Sequence, residues 1–168
     1  WAKRAEIPDY VYKMLKTMPK DAHPMILLTL AVMSLERTSA FASKYKEGMK
    51  KDEYWEPALE DSLNLTAKIP VIAAFIYRMK YFGEKGKPKY NPRLDYGANF
   101  ARMMKISDKK GYAELARLYF ILHSDHESGN VSAHATHLVG SSLSDIYFAY
   151  SAGLSGLAGP LHGLANQE

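Results

Sequence analysis

The side chains best suited to chemistry in this chain are its six histidines, His23, His123, His126, His134, His137 and His162. Four of them fall within fifteen residues, beside Asp125 and Glu127. Imidazole changes charge near neutral pH and is the commonest ligand of transition metals, so a cluster of this kind is tested first for metal binding. His123 and His126 would share a helix face if helix continued through them, and His134 and His137 are three apart. Spacing alone therefore permits four imidazoles on one zinc ion. Against that, no H-E-x-x-H pattern is present, and packed, hydrogen-bonded histidines in buried helices would give the same spacing. The expectation is no metal site.

Without a metal, His126-Glu127-Ser128-Gly129-Asn130 reads as a polar corner between two helices that are each apolar on one face. Imidazole and carboxamide donors at such a corner can hold a carboxylate, and the start of the following helix adds a favourable potential. Local features alone favour the plainer account, in which Asn130 only caps a helix and His126 is structural. His162 stands apart from the cluster. It follows Gly159-Pro160-Leu161, and proline suits the first turn of a helix, so the imidazole lies near the positive end of a helix dipole. That field disfavours imidazolium and favours a neutral ring able to donate a hydrogen bond to a developing enolate oxygen. Asn166, four residues on, could face the same side. For a helix-start histidine taken on its own, structural capping is the default reading.

The elements that must position these groups are helical. Apolar residues recur at steps of three and four, as at Leu115, Leu118, Phe120, Ile121 and Leu122, and no sustained alternation of β-branched residues appears. The spacing predicts helices over 9–18, 24–37, 40–50, 52–82, 95–105, 108–123, 132–144, 145–157 and from Pro160 onward, with Asp108 and Asn130 as N-caps. Pro70 falls inside the longest segment, where the lost amide and the ring clash should kink the helix or split it, and a bent helix is expected. Between Gly140 and Gly159 the chain is dense in glycine, alanine and serine, which lets helix backbones approach closely in a crowded core or a subunit interface.

Composition bounds the remaining possibilities. At 168 residues, 47% hydrophobic and 24% charged, the chain has the proportions of one soluble globular domain or a piece of a larger one. The apolar runs Met25 to Leu35 and Leu138 to Leu161 are not credible membrane spans, the second being interrupted by Asp145 and several serines. With no cysteine, a disulfide framework and thiolate metal sites are excluded. The formal charge of +4 gathers between Arg78 and Arg93 in a glycine- and proline-containing segment. That is the pattern of a solvated loop rather than a nucleic-acid surface, because no helix or sheet platform aims the basic groups. No P-loop, G-x-S-x-G elbow or dinucleotide-binding glycine pattern is present.

Two tail motifs, H-S-D-H-E-S-G-N-V-S-A-H-A-T-H-L-V-G-S-S-L-S-D from His123 and G-L-A-G-P-L-H-G-L-A-N-Q-E from Gly156, resemble citrate synthase of the eukaryotic mitochondrial type. The resemblance extends upstream through H-P-M at His23, Y-W-E at Tyr54, A-K-I-P at Ala67 and I-Y-R at Ile76, so it covers essentially the whole chain. It implies an all-α fold in which residues 1–168 form part of the large helical domain, with both ends incomplete and the smaller C-terminal domain mostly absent. It further implies a homodimer, packed through the small-residue-rich helices, that condenses acetyl-CoA with oxaloacetate and water to give citrate and CoA without a cofactor.

Residue by residue, the resemblance implies that His162 stabilises the acetyl-CoA enolate and that His126 and Asn130 hold oxaloacetate. Lys51 matches an arginine that contacts CoA phosphate, with the charge kept and the bidentate fork lost. Ser128 stands where glycine is usual and Ile146 where proline is common. The proton-abstracting aspartate, a second catalytic histidine and the arginines that clamp oxaloacetate are expected beyond Glu168, so the chain by itself is expected to be inactive and to fold poorly. The resemblance implies a mitochondrial matrix location, with a peroxisomal paralogue as the alternative. Other readings are 2-methylcitrate synthase, the related module of a citrate lyase, and a structural homologue that builds a filament or larger complex.

Overall fold

The computed structural model describes residues 1–124 and 129–163, with Lys109 described by its backbone alone. Among these residues all regular structure is helical, as the three-and-four spacing implies. In chain order the helices are α1 (Asp9–Thr17), α2 (Pro24–Ser34), α3 (Ala40–Lys46), α4 (Trp55–Phe82), α5 (Tyr96–Met104), α6 (Lys109–Leu122), α7 (Val131–Gly140) and α8 (Ile146–Leu157). Short 3-10 turns lie at Leu35–Thr38 and Lys51–Glu53. The chain forms two compact units, Trp1–Asp21 with Thr66–His126, and Ala22–Leu65 with Glu127–Glu168.

In the first unit, α1 buries Val11, Tyr12 and Leu15, and the Tyr12 ring meets Phe75 of α4 edge to face at 4.8 Å. Asp95 caps α5 by accepting from the Ala98 amide at 2.8 Å. Arg117 of α6 donates to the same carboxylate at 3.0 and 2.8 Å, which holds the Asp95 carboxyl below the ordinary range. Asn99 is fully buried and donates to the carbonyls of Asn91, Leu94 and Asp95, fixing the segment that leads into α5. In the basic segment, Lys85, Lys89 and Arg93 are exposed as expected of a solvated loop. Arg78 departs from that expectation: it is buried and donates to Glu84 at 2.9 Å, because it still belongs to α4 and its charge is met locally.

Neither split nor interruption follows from Pro70, since α4 runs unbroken from Trp55 to Phe82. A proline in a helix leaves the carbonyl four residues earlier without its donor. Here that carbonyl belongs to Thr66, and the Tyr96 hydroxyl at the start of α5 donates to it at 2.9 Å. Tertiary structure thus replaces the bond that the sequence removes. Tyr96→Phe is expected to lower stability by about 1 kcal/mol, the net worth of one such bond. Denaturant unfolding of the full-length protein measures it, and an unchanged midpoint would show that Thr66 is served otherwise.

In the second unit, α8 packs against both α7 and α2, with Tyr147, Ala149 and Leu154 of α8 and Leu27, Ala31 and Val32 of α2 in the core. The stretch Pro24–Lys46 is long and apolar enough by composition to cross a membrane. It is not one continuous helix: α2 ends at Ser34, a 3-10 turn follows, and Ser39 is extended at ψ 121° before α3 begins. A span needs about 20 continuous residues of apolar helix. Asp61 of α4, fully buried, secures the start of α3 by accepting from Ser39 Oγ at 2.7 Å and from the Ala40 and Phe41 amides at 2.8 and 3.1 Å. Helix α7 stops at Gly140 rather than at Ser144, and Leu143 in the turn before α8 takes a left-handed φ of 63°.

Candidate active site

The N-terminus of α7 and the turn that follows α8 meet within the second unit. Asn130 is the N-cap of α7, with extended backbone and a side-chain oxygen that accepts from the Ala133 amide at 2.9 Å. Two residues on, in the first turn, the Ser132 hydroxyl donates to the same Asn130 oxygen at 2.7 Å. The other partner of Ser132 Oγ is His162 Nε2, 2.9 Å away. His162 is placed by a turn in which its amide donates to the Gly159 carbonyl at 3.0 Å. Asn130, Ser132 and His162 are all partly buried, so this chain of polar groups lies at an edge of the unit and not in bulk solvent.

Proton count decides what the network can do. A serine hydroxyl has one proton, and a carboxamide oxygen only accepts. While Ser132 donates to Asn130, it must accept from a protonated His162 Nε2. If the hydroxyl turns instead toward His162, Nε2 becomes the acceptor and the ring proton of a neutral imidazole sits on Nδ1. One rotor therefore selects the histidine tautomer, and the second state leaves an N–H on the ring edge away from Ser132.

Of the residues expected to act, Asn130 and His162 are joined through Ser132. Ser132 was not singled out from sequence; the available signal was its place in the first turn of a helix capped by Asn130. Asn130 does cap α7, the role that the local pattern allowed. His126 lies outside the described residues, as do Asp125, Glu127, Ser128 and Asn166. Lys51 is exposed on the 3-10 turn before α4, and no hydrogen bond links it to the Ser132 network among the described contacts.

The remaining histidines are dispersed. His23 caps α2, its Nδ1 accepting from the Met25 amide at 3.2 Å. His123 stacks on Tyr119 with ring centres 4.0 Å apart, and His134 and His137 are exposed on α7. No group of three or more histidine, aspartate or glutamate side chains converges among the described residues. A groove of about 420 Å³ between the start of α2 and the end of α8 is lined by Met25, Ile26, Leu30 and Ala158, with His23, Thr29 and Ser155. Its wall is apolar, which suits packing better than catalysis.

The sequence profile described as "Citrate synthase, C-terminal domain" matches residues 1–168, the whole of the chain. The chain belongs to the citrate synthase family. It is 53% identical over 99% of its length to "Citrate synthase 4, mitochondrial" of Arabidopsis thaliana, of which it covers 35%. It is 52% identical over its full length to "2-methylcitrate synthase, mitochondrial" of Yarrowia lipolytica, of which it covers 36%. Among solved structures, citrate synthase from Pyrobaculum aerophilum superposes with a TM-score of 0.83 at 34% identity, over 99% of this chain and 41% of that one. A citrate synthase from Thermoplasma acidophilum, in ternary complex with carboxymethyl coenzyme A and oxaloacetate, superposes at 0.75 with 25% identity, over 96% of this chain and 40% of that one.

The chain thus spans little more than a third of the length of the curated relatives it matches. Its all-α architecture is that of the family. The curated relatives of this chain are named as mitochondrial proteins.

Proposed function

We propose that the full-length protein containing these residues is a citrate synthase that condenses acetyl-CoA with oxaloacetate and releases citrate and CoA. The observation that carries the reading is the Ser132–His162 contact at 2.9 Å, in a chain that belongs to this family. In the working state the Ser132 proton turns to His162 Nε2, and His162 Nδ1–H donates to the thioester oxygen of acetyl-CoA. As a base removes a methyl proton, the charge that develops on that oxygen is met by the N–H, the kind of preorganised donor that lowers such barriers most. The enolate carbon then bonds to the ketone carbon of oxaloacetate, and water cleaves the resulting thioester. The proton-abstracting base belongs, on this proposal, to the part of the relatives' length that these residues do not cover.

Asn130 and His126 are proposed to hold oxaloacetate. The Asn130 oxygen serves the cap, and the N–H groups of a carboxamide are donors of the kind that suits a carboxylate. Lys51 is proposed to contact CoA phosphate as a point charge, its exposure on a 3-10 turn suiting a charged ligand. Residues 1–168 are proposed as part of the large helical domain, paired as a homodimer through the small-residue-rich helices, with no cofactor required.

A second reading is favoured by the 52% identity to 2-methylcitrate synthases of Yarrowia lipolytica and Fusarium solani. Comparing CoA release from acetyl-CoA and propionyl-CoA with oxaloacetate decides between them. The expected result is a higher kcat/KM with acetyl-CoA. A preference for propionyl-CoA would make the protein a 2-methylcitrate synthase, and no turnover or binding of either would favour a structural homologue.

A further inference from the structure

We propose that Gly153, supported by Gly156, is a positioning residue: the missing side chain lets the first turns of α7 lie close enough to α8 for Ser132 to reach His162. The inference rests on the reading of His162 and Ser132 given above. Neither glycine has a left-handed φ, and both sit within α8, so what they supply is space and not torsional freedom. A Cβ on Gly153 would lie 2.2 Å from Thr136 Oγ1 and 3.1 Å from the Ser132 carbonyl oxygen. Thr136 cannot simply swing away without loss, because its hydroxyl donates to that same Ser132 carbonyl at 2.8 Å.

One turn further along α8, a Cβ on Gly156 would lie 3.2 Å from Val131 Cγ1 and 3.4 Å from Ser132 Cα. The two glycines therefore face the stretch of α7 that carries Ser132: a Cβ on the first would block its approach through Thr136, and one on the second would graze it. His162 follows Gly156 by six residues, so the same helix that receives α7 also delivers the histidine. A hydrogen bond of 2.9 Å has only a few tenths of an ångström to spare. An outward shift of α7 near 1 Å would break Ser132–His162 while leaving both helices folded.

The test is a set of variants in the full-length protein, read by kcat for CoA release and by thermal unfolding. Gly153→Ala is expected to lower kcat by about 100-fold, the usual effect of a misplacement near 1 Å. Adding Thr136→Ala removes the obstructing oxygen and is expected to bring kcat to within several-fold of Thr136→Ala alone, the remainder coming from the 3.1 Å approach to the Ser132 carbonyl oxygen. In a Ser132→Ala background, Gly153→Ala is expected to have no further effect on kcat, because the contact it acts through is already gone. A merely structural defect would multiply with Ser132→Ala instead, and that result overturns the proposal, as does an unchanged kcat in Gly153→Ala.

Should Gly153→Ala not fold, Gly156→Ala serves in its place. Alanine is the stronger helix former, and the expected loss is several-fold in kcat, present only with Ser132 intact; an unchanged kcat there overturns the proposal. If Ser132→Ala alone leaves kcat unchanged, it is the reading of His162 and Ser132 that fails, and the role of the glycines falls with it.

Discussion

His162→Ala in the full-length protein is expected to lower kcat for CoA release from acetyl-CoA and oxaloacetate by about 100- to 1,000-fold, the usual cost of removing one donor aimed at a developing oxyanion. The enzyme should remain folded, because His162 is only partly buried and its described hydrogen bonds are one to Ser132 and one through its own amide. Affinity for oxaloacetate should change little, since the proposed contacts to that substrate come from Asn130 and His126. Steady-state kinetics with each substrate varied in turn, together with calorimetric binding of oxaloacetate, separate the two effects. Equal rates for wild type and variant would remove His162 from the mechanism.

The second large effect concerns stability. Asp61→Ala is expected to destabilise the protein by about 4 kcal/mol, because truncation strands buried donors that now end on a carboxylate. Those donors are the Ser39 hydroxyl and the Ala40 and Phe41 amides, and the carboxylate is itself fully buried. The Ser39 hydroxyl also accepts from the Ala42 amide at 3.0 Å, so α3 would keep its local cap and lose only the remote one. Asp61→Asn, which retains one acceptor oxygen but turns an N–H toward the remaining donors, should fall between, near 2 kcal/mol. Denaturant unfolding of the full-length protein measures both, and a loss below about 1 kcal/mol for Asp61→Ala would show that these donors find other partners.

The features legible in the sequence are those whose physics is local. Asp108 and Asn130 cap α6 and α7 through bonds that span three residues, to Gly111 and Ala133, so residue type and position announce them. The exposure of Lys85, Lys89 and Arg93 is of the same kind. The small residues of α8 announced close packing but not the partner they admit. Extents were less legible: α3 ends at Lys46, short of the expected Lys50, with Gly48 soon after at a left-handed φ of 91°. Similarly, α7 gives way to a turn before Ser144.

By itself the sequence determined the all-α class, the capped helix starts and the family, because periodicity, capping and extended motifs are written along a single strand of residues. It also placed Asn130 and His162 among the candidates. Only the tertiary structure decided that they belong to one network, since Ser132 and His162 are 30 residues apart and meet only where α7 crosses α8. It alone decided that Asp61 serves α3 from twenty or more residues away, and that Tyr96 supplies the donor which Pro70 withholds from Thr66. In each case the bond depends on the distance between two helices, a quantity fixed by how side chains fill the space between them and not by spacing along the chain.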